Sequence, residues 1–169
     1  MSLSMYQASV PVFLRGLKNL SAILEKAVAQ AAERKIDPAV LLHDRLAPDM
    51  FPFVRQVQIA TDHAKGASAR LAGIEVPRYE DIEKSFEELQ QRLARVADFV
   101  QSIGPDRIDG SEEREISLPI GGRSLTFKGQ SYLLHFALPN FFFHSTTAYA
   151  ILRHNGIAIG KQDFIGKVS

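Results

Sequence analysis

The chain has 169 residues, 46% hydrophobic and 23% charged, which suits one globular domain over residues 1–169 burying roughly two-thirds of its unfolded surface. With 20 Lys and Arg against 19 Asp and Glu, the net charge of +1 offers no global field to attract nucleic acid or anionic lipid. The absence of cysteine removes disulfides, thiolate nucleophiles and sulfur ligands and fits a cytoplasmic location; no apolar run approaches the roughly 18 residues of a membrane span, and the opening residues carry no signal-peptide pattern.

In chain order, Phe13, Leu17, Leu20, Leu24, Ala27 and Ala31 recur every three or four residues and predict a first long helix, with Pro11 marking either its first turn or an early kink. A connector from Ile36 to Pro48 follows, in which Asp37-Pro38 starts a brief helix through Leu41 and Leu42. Ala47-Pro48-Asp49 resets the chain, and Asp49 is expected to cap a second helix. Its stripe is Phe53, Val57, Ala60, Ala64, Ala67 and Leu71, and it stops at Gly73.

A third helix is read from the seam Ile82, Phe86, Leu89, Leu93, Val96, Val100 and Ile103, with Glu80, Asp81 and Glu83 in its first turn and Gly104-Pro105 at its end. The period then changes. Ile116, Leu118 and Ile120, then Leu125 and Phe127, alternate about Gly121-Gly122 and predict a two-residue β-hairpin that packs on the helices as a flap. Residues 130–137 show no clear pattern. The last helix runs from Pro139, suited to a first turn, to Gly156, suited to a left-handed cap; beyond it Phe164 either tucks the tail back onto the bundle or contacts another subunit. Four amphipathic helices joined by modest connections give an all-α fold: an antiparallel four-helix bundle with a small β-hairpin between helices 3 and 4.

Candidate chemistry gathers on the last helix. Asn140, His144, Thr147 and Ile151 share one face, beside Phe141, Phe142 and Phe143, which are read as core or as a dimer face where one points outward. His63 lies at the edge of the second helix's stripe and could face the interior. Asp62 and Lys65, with Gln58, fall roughly opposite that stripe and read as a surface ion pair. His154 sits where a cation favours the negative helix end, His43 has no positioned partner, and His135 is a distant substitute ligand. No glycine-rich phosphate loop follows a strand and no Gly-x-Ser-x-Gly elbow occurs; Glu87-Glu88 and Glu112-Glu113 read as solvated charge.

The run Phe142-Phe143-His144 through Ala148-Tyr149-Ala150-Ile151-Leu152-Arg153-His154-Asn155-Gly156, with Ala47-Pro48-Asp49-Met50 and Arg70-Leu71-Ala72-Gly73, resembles a bacterial family known only as a domain of unknown function, itself similar to the DinB/YfiT-like superfamily. The resemblance implies a four-helix bundle, often a homodimer. It also implies a divalent metal, zinc or nickel, held by one histidine of the second helix and two spaced four apart on the last, with thiol-dependent transferase or hydrolase activity in some members. Carried over, the ligand positions are His63, Asn140 and His144, and the first histidine of the last-helix pair is replaced by an amide. Because an amide oxygen binds such ions poorly, the departure favours a non-catalytic, metal-degenerate bundle that dimerises or binds a small molecule; the alternative is a metal-dependent enzyme using His63 and His144.

Overall fold

A computed structural model describes residues 3–167; Met1, Ser2, Val168 and Ser169 lie outside it. Four long helices form an antiparallel bundle: α1 (Val10–Glu33), α3 (Phe53–Ala72), α4 (Phe86–Gln101) and α7 (Leu138–His154). Between them lie the short helices α2 (Pro38–His43), α5 (Pro105–Ile108) and α6 (Gly129–Tyr132), and α8 (Lys161–Ile165) closes the chain. A hairpin of β1 (Glu115–Ile120) and β2 (Arg123–Lys128) separates α4 from α7. Among the described residues no helix is long and apolar enough to cross a membrane.

The apolar stripes are the core. All six stripe residues of α3 are fully buried, as are Phe13, Leu24, Ala27 and Ala31 of α1 and Leu89, Val96 and Val100 of α4. α3 packs on both α7 and α4, and α1 packs on α4. Local chemistry sets several boundaries as expected. Asp37 caps α2 by accepting the Ala39 N–H at 2.9 Å. Gly156 adopts φ 79° and gives its N–H to the Arg153 carbonyl, while Ile157 N–H reaches the Leu152 carbonyl, which closes α7. Gly121 and Gly122, at φ 56° and 77°, make the tight hairpin turn, and pairing runs from Glu115 opposite Lys128 to Ile120 opposite Arg123. The hairpin turns Ile116 and Leu118 of β1 onto the helices. Phe164 packs on Tyr149 with ring centroids 6.0 Å apart, and Arg15 donates to the carbonyls of Ile165 and Lys167, so the tail folds back onto the bundle.

Three boundaries differ. Asp49 does not cap α3: the helix starts at Phe53 with Pro52 at the N-cap, because a proline there holds Phe51 out of the helical region. The third long helix does not include Ile82. It begins at Phe86, where Ser85 accepts the Glu88 N–H at 3.1 Å, and Ile82 is 67% exposed. Residues 74–84 instead cross the bundle as an extended strap, drawn down because Asp81 and Glu83 bind Arg92. Finally, α7 starts at Leu138 with Pro139 in its first turn as expected, but the chain is already helical before it. α6 runs through a π-helical turn, Leu133–Ala137, directly into α7. Pro139 has no N–H to give and its ring would crowd the carbonyl four residues back, and the widened turn just before it accommodates both defects. Leu138 N–H accordingly reaches five residues back, to the Leu133 carbonyl.

Candidate functional site

Gln56, His63 and Arg70 stand seven residues apart on α3 and so form one row along the helix, at the margin of the buried stripe that meets α7. His144 projects toward this row from α7. Its Nδ1 lies 2.7 Å from Gln56 Oε1. Gln56 is buried and its amide nitrogen donates to the Phe51 carbonyl at 3.0 Å, so Oε1 is the acceptor end and Nδ1 of His144 carries the proton. Nε2 of His144 is therefore a bare lone pair.

The His63 and His144 rings stack at 5.9 Å between centroids, 12° from parallel, and His63 meets the edge of Phe136 at 5.8 Å. The structure thus brings together the two histidines that the resemblance pairs. Burial pushes the His63 pKa down to about 4, helped by the neighbouring His144 and Arg70 charges. Burial, and then the Arg55 guanidinium, lowers His144 as well. Both rings are neutral at pH 7. Asn140 stands apart from them in its bonding: its Nδ2 donates to the Phe136 carbonyl at 2.7 Å, satisfying a backbone group in the turn that Pro139 disturbs.

Arg70 completes the row. Gly66 has no side chain in its way, and a Cβ there would come within 2.4 Å of Arg70 Nη1, so the guanidinium lies back along α3 toward His63. Nη1 donates to the hydroxyl of the fully buried Tyr132 at 3.2 Å, and burial raises the tyrosine pKa, keeping that hydroxyl protonated. Tyr132, Phe136 and Phe127 of β2 stack into an aromatic wall, with centroids 5.5 to 6.0 Å apart. Among the described residues, the sole buried side-chain polar atom lacking a partner is Ser111 Oγ. The ring nitrogens of His63 and the Nε and Nη2 of Arg70, which have no partner among those residues, are therefore open to solvent.

The remaining histidines do not join this cluster: His43, His135 and His154 are exposed. Of the three phenylalanines, Phe141 is core while Phe142 and Phe143 point outward. The polar face of α3 differs from expectation. Asp62 and Lys65 do pair, at 3.0 Å, yet Lys65 and Gln58 are each only 4% exposed. The strap covers them, with Tyr79 held between Lys65 and Arg95 at 4.4 and 3.8 Å from its ring centre. Beneath it the buried Arg92 engages Thr61 Oγ1, the Glu80 carbonyl, Glu83, Asp62 and Asp81 at 2.7 to 3.1 Å, using all five of its N–H groups.

The donor set fits a divalent metal poorly. Among the described residues no three His, Cys, Asp or Glu side chains come together as such an ion requires. Two neutral imidazoles and an amide would face the ion with no anionic ligand, and the nearby guanidiniums of Arg55 and Arg70 would repel it.

A DinB-like helical bundle with an imidazole pair beside a row of Gln, His and Arg is the class that this fold and side-chain cluster define. Residues 5–165 match the model of a family described as a domain of unknown function, DUF1993, and the chain belongs to that family. It is similar to a DinB family member protein from Shewanella denitrificans of known crystal structure, at 42% identity over 96% of this chain and 92% of that one, with a TM-score of 0.90. No curated protein matches the chain.

Proposed function

We propose that the protein is a non-catalytic, metal-degenerate DinB-like domain that binds a small molecule beside the His63–His144 pair, where α3 meets α7. One observation carries the reading: the stacked, neutral His63 and His144 are flanked by guanidiniums and joined by no carboxylate among the described residues. Asn140, where a third imidazole would stand, gives its amide to the Phe136 carbonyl. The same groups are suited to recognising an organic ligand, with an acceptor at Nε2 of His144, open donors on Arg70 and an aromatic wall beside them.

The metal-dependent enzyme reading keeps one supporting feature. A histidine whose Nδ1–H is fixed by an amide oxygen, leaving Nε2 bare, is oriented as metal-bound histidines are. Elemental analysis of protein purified without a metal-affinity tag, repeated after incubation with zinc and nickel, separates the two. The proposal expects less than one-tenth of an equivalent, unchanged in His63→Ala and His144→Ala. Near-stoichiometric metal lost in both variants would establish the enzyme reading.

A further inference from the structure

Away from the imidazole pair, a half-open apolar slot of about 390 Å³ lies between the start of α1, the first turns of α7 and the closing helix α8. We propose that this slot binds a medium-chain fatty acid, with the alkyl chain against Leu20, Phe141, Phe142, Phe164 and Ile165 and the carboxylate at Arg15. The inference does not depend on what the imidazole pair binds. The volume lies within the range of small-ligand sites. Phe142 and Ile165 line the slot yet are 39% and 40% exposed, and α8 buries none of its residues, so this apolar surface has no filler of its own. The slot stays open because α8 hangs from polar side chains of α1. Arg15 Nε donates to the Ile165 carbonyl at 3.1 Å and Nη2 to the Lys167 carbonyl at 2.8 Å, and Asn19 Nδ2 donates to the Phe164 carbonyl at 3.0 Å.

The charge of the lining selects the ligand. It holds one cation, Arg15, and no Asp or Glu. Its other polar side chains are turned to backbone: the Ser145 hydroxyl donates to the Phe141 carbonyl at 2.7 Å, and the Asn19 amide is spent on the tail. A polar ligand body would therefore find little to bond with inside, whereas an alkyl chain loses nothing there. Arg15 is exposed and pairs with no carboxylate among the described residues. Its Nε–Nη2 edge is committed to the two tail carbonyls, which leaves the Nη1–Nη2 edge as a fork for a carboxylate at the solvent end. One charge at the mouth of an apolar slot matches an amphipathic monoanion. Because Phe164 and Ile165 form the outer wall, the bound chain also fastens α8.

Titration calorimetry of the whole chain at pH 7 with octanoate, octan-1-ol and butyrate tests the proposal. Each buried methylene is worth about fourfold, so octanoate should bind at least about tenfold tighter than butyrate. It should also bind about threefold or more tighter than octan-1-ol, which lacks the charge. Arg15→Gln should bring octanoate down to the level of octan-1-ol and leave octan-1-ol unchanged. Val12→Trp, which fills the slot, should abolish both, and Ile165→Ala, a change at an exposed wall residue, should weaken both severalfold, with circular dichroism showing each variant helical. Octanoate should slow amide exchange over residues 161–166 in the parent and not in Val12→Trp. No octanoate binding at about 1 mM, octanoate no tighter than butyrate, or full binding in both Val12→Trp and Ile165→Ala overturns the site. Octan-1-ol equal to octanoate, or loss of both ligands in Arg15→Gln, overturns the placement of the carboxylate. A dimer by light scattering that octanoate does not dissociate, with exchange over 161–166 slowed by dimerisation alone, overturns the fatty acid as occupant in favour of a second copy.

Discussion

Acid should weaken this fold through His63, over a window that the carboxylates do not share. In the unfolded chain the imidazole takes up its proton near pH 6.5; in the folded chain, buried beside His144, Arg70 and Phe136, it does so near 4. Between those values the unfolded state binds more protons, so stability falls as pH falls. The contribution is fully present above pH 6.5 and gone by about pH 4. At 1.36 kcal/mol per pH unit the loss is about 3 kcal/mol, a large share of the stability of a domain this size. It corresponds to a drop in Tm of about 6–12 °C. Asp44 and Asp163, whose pKa values are lowered by the Asn155 hydrogen bond and by Lys26 respectively, act in the same sense but only around and below their ordinary 3.8. His144 is lowered too and adds to the effect. Urea unfolding of the parent and of His63→Leu at steps from pH 7.5 to 4 isolates the term: the variant, with nothing to protonate at position 63, should lose about 3 kcal/mol less over the window. Parallel losses in the two proteins would refute the argument.

Two substitutions probe the rest of the account. Gly66→Ala gains up to about 1 kcal/mol of helix propensity, but its Cβ comes within 2.4 Å of Arg70 Nη1 and pushes the guanidinium off the buried Tyr132 hydroxyl, at a cost of about 1 to 3 kcal/mol; chemical denaturation should therefore show no gain in stability, and a gain of about 1 kcal/mol would contradict this. Arg92→Met removes the centre of a five-bond network and should cost about 3 kcal/mol, because Glu83 is left largely buried without its partner. It should also release the strap, read as faster amide exchange over residues 74–84, and Arg92→Lys should not restore protection, since an ammonium cannot reach all five acceptors.

How much of this was legible in the sequence depends on how local the cause is. The α3 stripe, the Asp37 cap, the Gly121-Gly122 turn and the Gly156 cap are each fixed by neighbours within a few residues, and each stands where its pattern places it. Ile82 continued the α4 seam on paper, but Arg92 takes Asp81 and Glu83 from across the fold, and that distant pairing outweighs the helical period. The π turn before Pro139 is likewise a compromise between a proline and the continuation of α6, which neither residue shows alone.

The cluster was legible in part. His63 and His144 were paired through family resemblance, with Asn140 carried over as the third ligand position; its amide nitrogen meets the Phe136 carbonyl. Gln56 and Arg70 were missed. Their signal was present: a glutamine, a histidine and an arginine, each about two helical turns from the next, lie along the margin of an apolar stripe. Reading them needs the partner helix, because only α7 and the turn before it supply His144 and Tyr132 to give those side chains a role.

The central claim is that the two imidazoles are a neutral pair, with His144 protonated on Nδ1, that does not hold a metal. Long-range proton–nitrogen correlation spectra of the histidine rings at pH 7, recorded before and after one equivalent of zinc, test it directly. The account predicts Nδ1–H for His144, a neutral His63, and ring signals of both unchanged by zinc. A proton on Nε2 of His144, or signals of both rings shifting together and saturating at one equivalent of zinc, would contradict it.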